Sequence, residues 1–372
     1  MKKINQQMLI LQSIGIILVV VGHKGGISLL TEWFPVNSFH MPMFMFISGY
    51  FYQVKSEIEF KGFVIKKVKH LLVPYFIWNF IYGIIITLLR YIGVVEFGLA
   101  LTLRSLFIEP WIGGHQFGLN VAAWFVLALF IVQIVYVLIR KIVVKVNFNN
   151  EYLMAIILLI VGCIGITLAN KGYNTRWDLT LVRTMFFIPF YHFGYLYKTK
   201  FEEKDTLNSG VYFLAIFIIQ FILISKYLDI SFTAVWCNGF NKDNILLPYI
   251  TSVTGIMFWL RVSKILVKSI GESNIVKMIG TNTWSIMMHH QFVFYVINLI
   301  FAVIYVKFGL EWFEFDQFKS NMWYAYAYKD ERFKLFYVIL GVWMPILIKQ
   351  YINIVRVKIR NKKVEKNENA LN

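Results

Sequence analysis

The chain has 372 residues, 58% of them hydrophobic and 15% charged, with a mean hydropathy of +0.62. That much apolar side chain excludes a water-soluble globular protein and indicates a polytopic membrane protein. The formal charge of +17 sits mostly in short connections between apolar runs and in the C-terminal tail, so it reports membrane topology and not nucleic-acid binding.

Apolar runs of the kind needed to cross roughly 30 Å of hydrocarbon fall at Met8–Gly22, Asn37–Phe51, Leu71–Leu89, Val121–Ile139, Leu153–Ala169, Leu179–Tyr197, Val211–Ser225, Ile245–Leu260, Thr283–Val306 and Leu335–Lys349. The pattern predicts an all-α bundle of about ten transmembrane helices. It forms one domain over residues 1–355, followed by a basic, disordered tail over 356–372. Lys2 and Lys3 precede the first run as in a signal peptide, but no small-x-small cleavage site follows, so the run is expected to be retained. Basic connections at Lys55–Lys69, Arg140–Lys145, Lys198–Lys204 and Arg261–Lys277 alternate with poorer ones, which predicts cytoplasmic termini. The connection before the last run is aromatic, with Trp312, Phe313, Phe315, Trp323, Tyr324, Tyr326 and Tyr328, and carries Glu311, Glu314, Asp316, Asp330 and Glu331. It reads either as an interfacial belt or as a surface on which sugars stack. Gly25-Gly26 and Gly113-Gly114 read as turns. Cys163 and Cys237 have neither metal-site nor disulfide-framework spacing.

Polar residues inside apolar runs carry most of the functional signal, because each is costly in lipid. Gln12 and His23 share one face of the first helix, roughly 16 Å apart along its axis. The second run returns from the same side, so His40 and Pro42 reach the depth of His23, while Ser48 and Gly49 suit close helix packing. In the ninth run Asn282, Ser285 and His289 share a stripe and His290 points about 100° away. Arg183 requires a polar cavity or a headgroup. Lys66, Lys67 and Lys69 fit either topological bias or a site for a phosphate-rich ligand at a helix entrance. The four histidines lack a supporting carboxylate or cysteine, so no metal is expected.

Several separate stretches together resemble one family. Ile14–His23 is similar to the first span of the integral-membrane acyltransferase family 3, particularly its fucose 4-O-acetylase-like branch, which ends in a key histidine. Phe39-His40-Met41-Pro42 with Phe46–Tyr50 resembles its second-span signature. Lys66–Tyr75 looks like the basic run and Leu-Leu-x-Pro-Tyr that open its third span. Weaker matches are Ala123–Val126, Arg183–Gly194 and Thr283–His290. Two departures from the pattern stand out: Gln12 stands where the family commonly has arginine, and Lys66 and Lys69 stand where it often has Arg-x-x-Arg. Lysines can hold phosphate as point charges, without the bidentate fork.

The resemblance implies transfer of an acetyl group from cytosolic acetyl-CoA, as co-substrate, to a hydroxyl of a cell-envelope sugar or exopolysaccharide. The setting would be a bacterial plasma membrane, with glycan-assembly proteins as possible partners. It assigns His23 as base or transient acyl carrier and His40 to orienting it or the acceptor. The late histidine matches His290, whereas the polar stripe favours His289. Lys66, Lys67, Lys69, Arg183 and Gln12 are the expected donor-binding residues. The alternative from another class is a polysaccharide or small-solute exporter in which Arg183 and the histidines line a path or relay protons.

Overall fold

The computed structural model describes residues 5–23, 29–148, 150–227, 229–326 and 333–368. Lys2, Lys3, Gly25, Gly26, Tyr328, Asp330 and Glu331 lie outside the described residues. Each of the ten apolar runs falls largely within a helix: α1 Gln6–Gly22, α2 Val36–Tyr50, α3 Phe60–Tyr91, α4 Trp124–Lys145, α5 Glu151–Asn170, α6 Arg176–Leu196, α7 Ser209–Lys226, α8 Leu247–Ile270, α9 Thr283–Phe308 and α10 Lys334–Glu368. Seven helices among the described residues are long and apolar enough to cross a membrane. The other three are α1 with 17 residues, α2 with 15, and α6, which carries Arg176, Asp178 and Arg183. The last helix continues through the basic stretch expected as a tail, as far as Glu368. The described residues form no strand; one isolated bridge pairs Thr233 with Asn238.

Local chemistry sets the helix ends. Asn5 caps α1 by accepting from the Met8 N–H at 3.0 Å, and Asn150 caps α5 from Leu153 at 3.0 Å, each satisfying a donor that the first turn leaves open. We call the end of the bundle where α1 begins the near face and the end where α1 stops the far face. Successive helices alternate between them. The segment from residue 92 to 120 does not simply reverse direction but folds back along α3. There Gln116 donates to Asn79 at 3.0 Å, and Trp111 packs 6.3 Å from Phe76, centroid to centroid.

Helix α2 is the bundle's central piece and packs on α1, α6 and α8. Its Pro42 cannot donate to the Ser38 carbonyl one turn back. The Ser252 hydroxyl of α8 donates to that carbonyl instead, at 2.7 Å, so the proline costs the bundle no unpaired acceptor. One turn from the near end, α2 crosses α6 backbone to backbone. A methyl group at Gly49 would collide with the Tyr191 carbonyl, and one at Gly194 with the Phe46 carbonyl. Ser48 meanwhile accepts from Gln133 of α4 at 2.6 Å, so the Ser48-Gly49 pair packs helices, as such pairs do where apolar burial cannot drive association.

A buried ion cluster ties the near ends of four segments. Arg140 of α4 donates to Glu57 at 3.1 Å and to both oxygens of Glu151 at 2.8 Å. Tyr52 donates to Glu57 at 2.8 Å. Behind Glu151, the backbone carbonyl meets His192 Nε2 at 3.0 Å, and His192 Nδ1 meets the Tyr136 hydroxyl at 2.9 Å. His192 is thereby a bracing residue of the near end.

The α2–α6 crossing yields a direct test. Gly194→Ala is expected to cost about 1–3 kcal/mol through overpacking, lowering the thermal midpoint of the detergent-solubilised protein by several degrees. Gly62→Ala, where no atom stands within 4 Å, should leave the midpoint unchanged or raise it, since a helix-interior glycine costs about 0.5–1 kcal/mol.

Candidate functional site

Helix α1 delivers His23 to the wall of a cavity of about 380 Å³. At its near end Ile16, Phe44, Leu71 and Thr283 line it; at its far end His115, Trp236 and Trp323 do. Ile16 is two helical turns below His23 and Phe44 one turn below His40, so the cavity runs along the bundle axis. Its volume suits a small or slender ligand, and its walls are mostly apolar with a few polar groups, the usual composition of a binding site.

Two of the expected histidines line this cavity, and a third adjoins it. His23 is half-buried, with its ring 5.2 Å from that of His290 and 6.2 Å from that of Tyr326. His40 lines the wall contributed by α2, and its Nδ1 lies 2.5 Å from the Val36 carbonyl. In His290 the Nδ1 lies 2.8 Å from the Ile286 carbonyl. A carbonyl only accepts, so in both rings Nδ1 carries the proton, and the neutral ring presents Nε2 as its basic nitrogen. The helix backbone thus sets the tautomer of both.

His289 goes elsewhere. Its Nδ1 is hydrogen-bonded to the Tyr82 hydroxyl at 2.7 Å, and its ring lies 4.2 Å from that of Trp78. Both partners belong to α3, and the cavity lining does not include His289. The 100° between consecutive helical residues separates the two histidines: one faces His23, the other faces α3.

The basic run occupies a specific backbone feature. Lys66 and Lys69 are exposed, and Lys67 lies 5.2 Å over the Phe63 ring. From Val68 to Leu72 the helix widens into a π-helical turn, a distortion often found at functional sites. Leu71, in that turn, lines the cavity. Gln12 is half-buried on α1 and not part of the lining.

Arg183 is buried, and its partners are backbone carbonyls. Nε donates to the Val235 carbonyl at 2.6 Å, and Nη2 donates both to Val235 and, at 3.2 Å, to Gly113. The guanidinium carbon stands 4.9 Å from the centroid of the Trp124 ring, a cation–π contact inside the bundle. Trp124 lines the cavity. The two loops that Arg183 holds present His115 and Trp236, whose rings stack at 4.3 Å with 25° between their planes. His115 Nδ1 lies 3.1 Å from the Gly113 carbonyl. Burial, reinforced by the charge of Arg183, pushes His115 down to about 3, so the ring is neutral near pH 7.

Sequence reasoning missed His115 and Trp236, which lie in connecting segments without periodicity. Trp323 and Tyr326 fall within the aromatic connection that reads as a belt or a sugar surface. Among the described residues no three His, Cys, Asp or Glu side chains converge as a metal site.

Residues 6–328 match the acyltransferase family 3 model, described as an acyltransferase domain. No curated protein and no solved structure matches the chain.

The assignment of His289 to α3 can be checked by a double-mutant cycle. His289→Phe leaves the buried Tyr82 hydroxyl unpaired and is expected to cost about 1–3 kcal/mol. Adding Tyr82→Phe should recover part of that loss, giving a coupling of about 0.5–3 kcal/mol in chemical or thermal unfolding of the solubilised protein.

Proposed function

The chain belongs to the integral-membrane acyltransferase family 3, and from that premise we propose that it transfers an acetyl group from acetyl-CoA to a hydroxyl of a cell-envelope sugar, as in the fucose 4-O-acetylase-like branch. The observation that carries the reading is the placement of one cavity. It begins at Leu71, two residues beyond Lys69, passes His40 and His23, and ends among aromatic rings on the far face.

In this reading the near face is cytoplasmic in a bacterial plasma membrane, and Lys66, Lys67 and Lys69 attract the phosphates of CoA as point charges. The pantetheine arm follows the cavity and brings the thioester to His23. A sugar hydroxyl is a weak nucleophile near neutral pH, and an imidazole of ordinary basicity suits its activation. His23 takes the hydroxyl proton as the oxygen attacks the acetyl carbonyl; the new C–O bond forms, the C–S bond breaks, and the proton passes to the departing CoA thiolate. His290 stands beside His23 with its tautomer fixed by α9. His40 orients the acceptor or His23 from the facing helix. Gln12 brings no charge to the donor, and Arg183 serves the far face through the Val235 and Gly113 carbonyls.

Two measurements test this. His23→Ala is expected to reduce O-acetyl esters on the envelope glycans by at least about 10²-fold, in line with loss of a general base, while polymer export continues. Continued acetylation would sink the proposal, and loss of export with it would favour an exporter. Replacing Lys66, Lys67 and Lys69 together by Gln should raise the KM for acetyl-CoA about tenfold or more with a smaller effect on kcat, and should flatten its dependence on ionic strength.

A further inference from the structure

We propose that His115, Trp236 and Trp323 form the subsite for one pyranose ring of the acceptor, and that Arg183 is the positioning residue that holds its loops together. This rests on the reading that the acceptor is a sugar.

The three rings come from segments far apart in sequence: the connection before α4, the connection before α8 and the connection before α10. They meet at one end of the cavity. His115 stacks on Trp236 at 4.3 Å, and the Trp323 ring lies 6.2 Å from His115 with 51° between the planes. From there a run of ring contacts leads inward. Trp323 is 6.0 Å from Tyr326, and Tyr326 is 6.2 Å from His23. A pyranose has a face of C–H groups that packs on an aromatic plane, while its hydroxyls radiate at the rim toward polar partners. The same cavity is lined by this wall and by His23, so a ring seated on the wall shares the space with the proposed base.

The wall is built rather than incidental. Arg183 donates to the Val235 carbonyl, one residue before Trp236, and to the Gly113 carbonyl, two residues before His115. Asn174 donates to the Trp236 carbonyl at 3.2 Å, and the Thr233–Asn238 bridge closes the turn that carries Trp236. Cys237, at φ 45°, completes that turn in the left-handed region. Gly114, at φ 87°, lets the other loop pass against Trp124, where a methyl group would collide with the indole side chain. A cation buried at the junction of two loops, with carbonyls of both as partners, fixes their separation.

The wall also holds an unspent acceptor. His115 donates through Nδ1 to Gly113, so its Nε2 is bare, and that buried nitrogen has no hydrogen-bond partner among the described residues. A buried acceptor without a donor is costly, and a sugar hydroxyl is a donor. Trp323, 47% exposed, contributes little to the core and gives the wall its open edge.

The test uses the full chain in nanodiscs and saturation-transfer NMR. The probes are the methyl pyranosides of glucose, galactose, mannose, fucose and N-acetylglucosamine, with mannitol as an acyclic polyol lacking a ring face. At least one pyranoside is expected to take up saturation at its ring C–H protons, and mannitol several-fold less. Trp323→Ala and Trp236→Ala should each lower the pyranoside signal about fivefold or more, equivalent to about 1 kcal/mol of binding. Acetyl-CoA affinity should stay within about twofold, because the donor end of the cavity is untouched. Arg183→Lys should lower pyranoside binding while sparing the donor, since an ammonium cannot fork to two loops. His115→Gln, which keeps an acceptor, should bind better than His115→Phe. The proposal is overturned if no pyranoside is saturated, if mannitol matches them, or if Trp323→Ala and Trp236→Ala leave the signal unchanged. Intact pyranoside binding in a His23→Ala variant that still acetylates its envelope would instead sink the transfer reading alone.

Discussion

The backbone contact of α2 with α6 at Gly49 and Gly194 is the constraint on which the central cavity depends. Two helices that run in the same direction and touch at one point have their relative depth fixed there. His40 lies nine residues before Gly49, and Arg183 eleven before Gly194, which places them roughly 14 and 16 Å toward the far face. The two polar residues therefore arrive at nearly the same level, one on the cavity wall and the other at the junction of the far loops. Side chains larger than hydrogen at the crossing would push the helices apart and uncouple those levels. The Ser252 hydroxyl on the Ser38 carbonyl completes the seat of α2 by making its proline tolerable.

A chain in lipid has to satisfy its buried polar groups internally, and two solutions appear at opposite ends of this bundle. At the near end Arg140 faces two carboxylates, one of which, Glu57, also accepts from the Tyr52 hydroxyl. This is a paired cluster, and its removal in part would strand charge. At the far end Arg183 faces carbonyl dipoles and an indole. Dipoles compensate a cation less completely than a carboxylate does, but they belong to loops, and their geometry reports where those loops are. The first solution braces long helices; the second sets the distance between two connecting segments held only by a short helix, Glu109–Ile112, and a single bridge, Thr233–Asn238.

Most of the helical architecture was legible because a membrane helix is a local object: composition over some twenty residues decides it. All ten runs fall largely within helices for that reason. The fold-back of residues 92–120 was not legible, since it depends on Asn79 meeting Gln116 across 37 positions. Neither was the π-helical turn at Val68–Leu72, which no propensity rule marks. Within the site, His23 and His40 stood out because imidazoles in apolar runs are expensive. Between His289 and His290 the polar stripe favoured the first and the family match the second, and what separates them is contact with other helices, Tyr82 and Trp78 for His289 and His23 for His290. Arg183 was conspicuous by its charge, but its partners are backbone carbonyls, which every residue has. His115 and Trp236 carried no signal at all until the loops met.

The two ends of the cavity differ in what they can hold, and elementary electrostatics orders the substrates accordingly. Taking an isolated ionised group from water into a low-dielectric interior costs several kcal/mol even after relaxation, and a nucleotide carries several such charges. The cavity between Leu71 and His23 is lined mainly by apolar side chains, so it offers a phosphate no compensation. An acetyl thioester on an uncharged arm has no such penalty. In the proposed reaction the exposed lysines are therefore the place where an anionic donor is cheapest to keep, and the apolar shaft is where only its neutral end would go. At the far end the charge is already spent: Arg183 is engaged with backbone, and His115 is neutral. A neutral polyol, rich in hydroxyls and with one apolar face, is the ligand whose chemistry such an end can match.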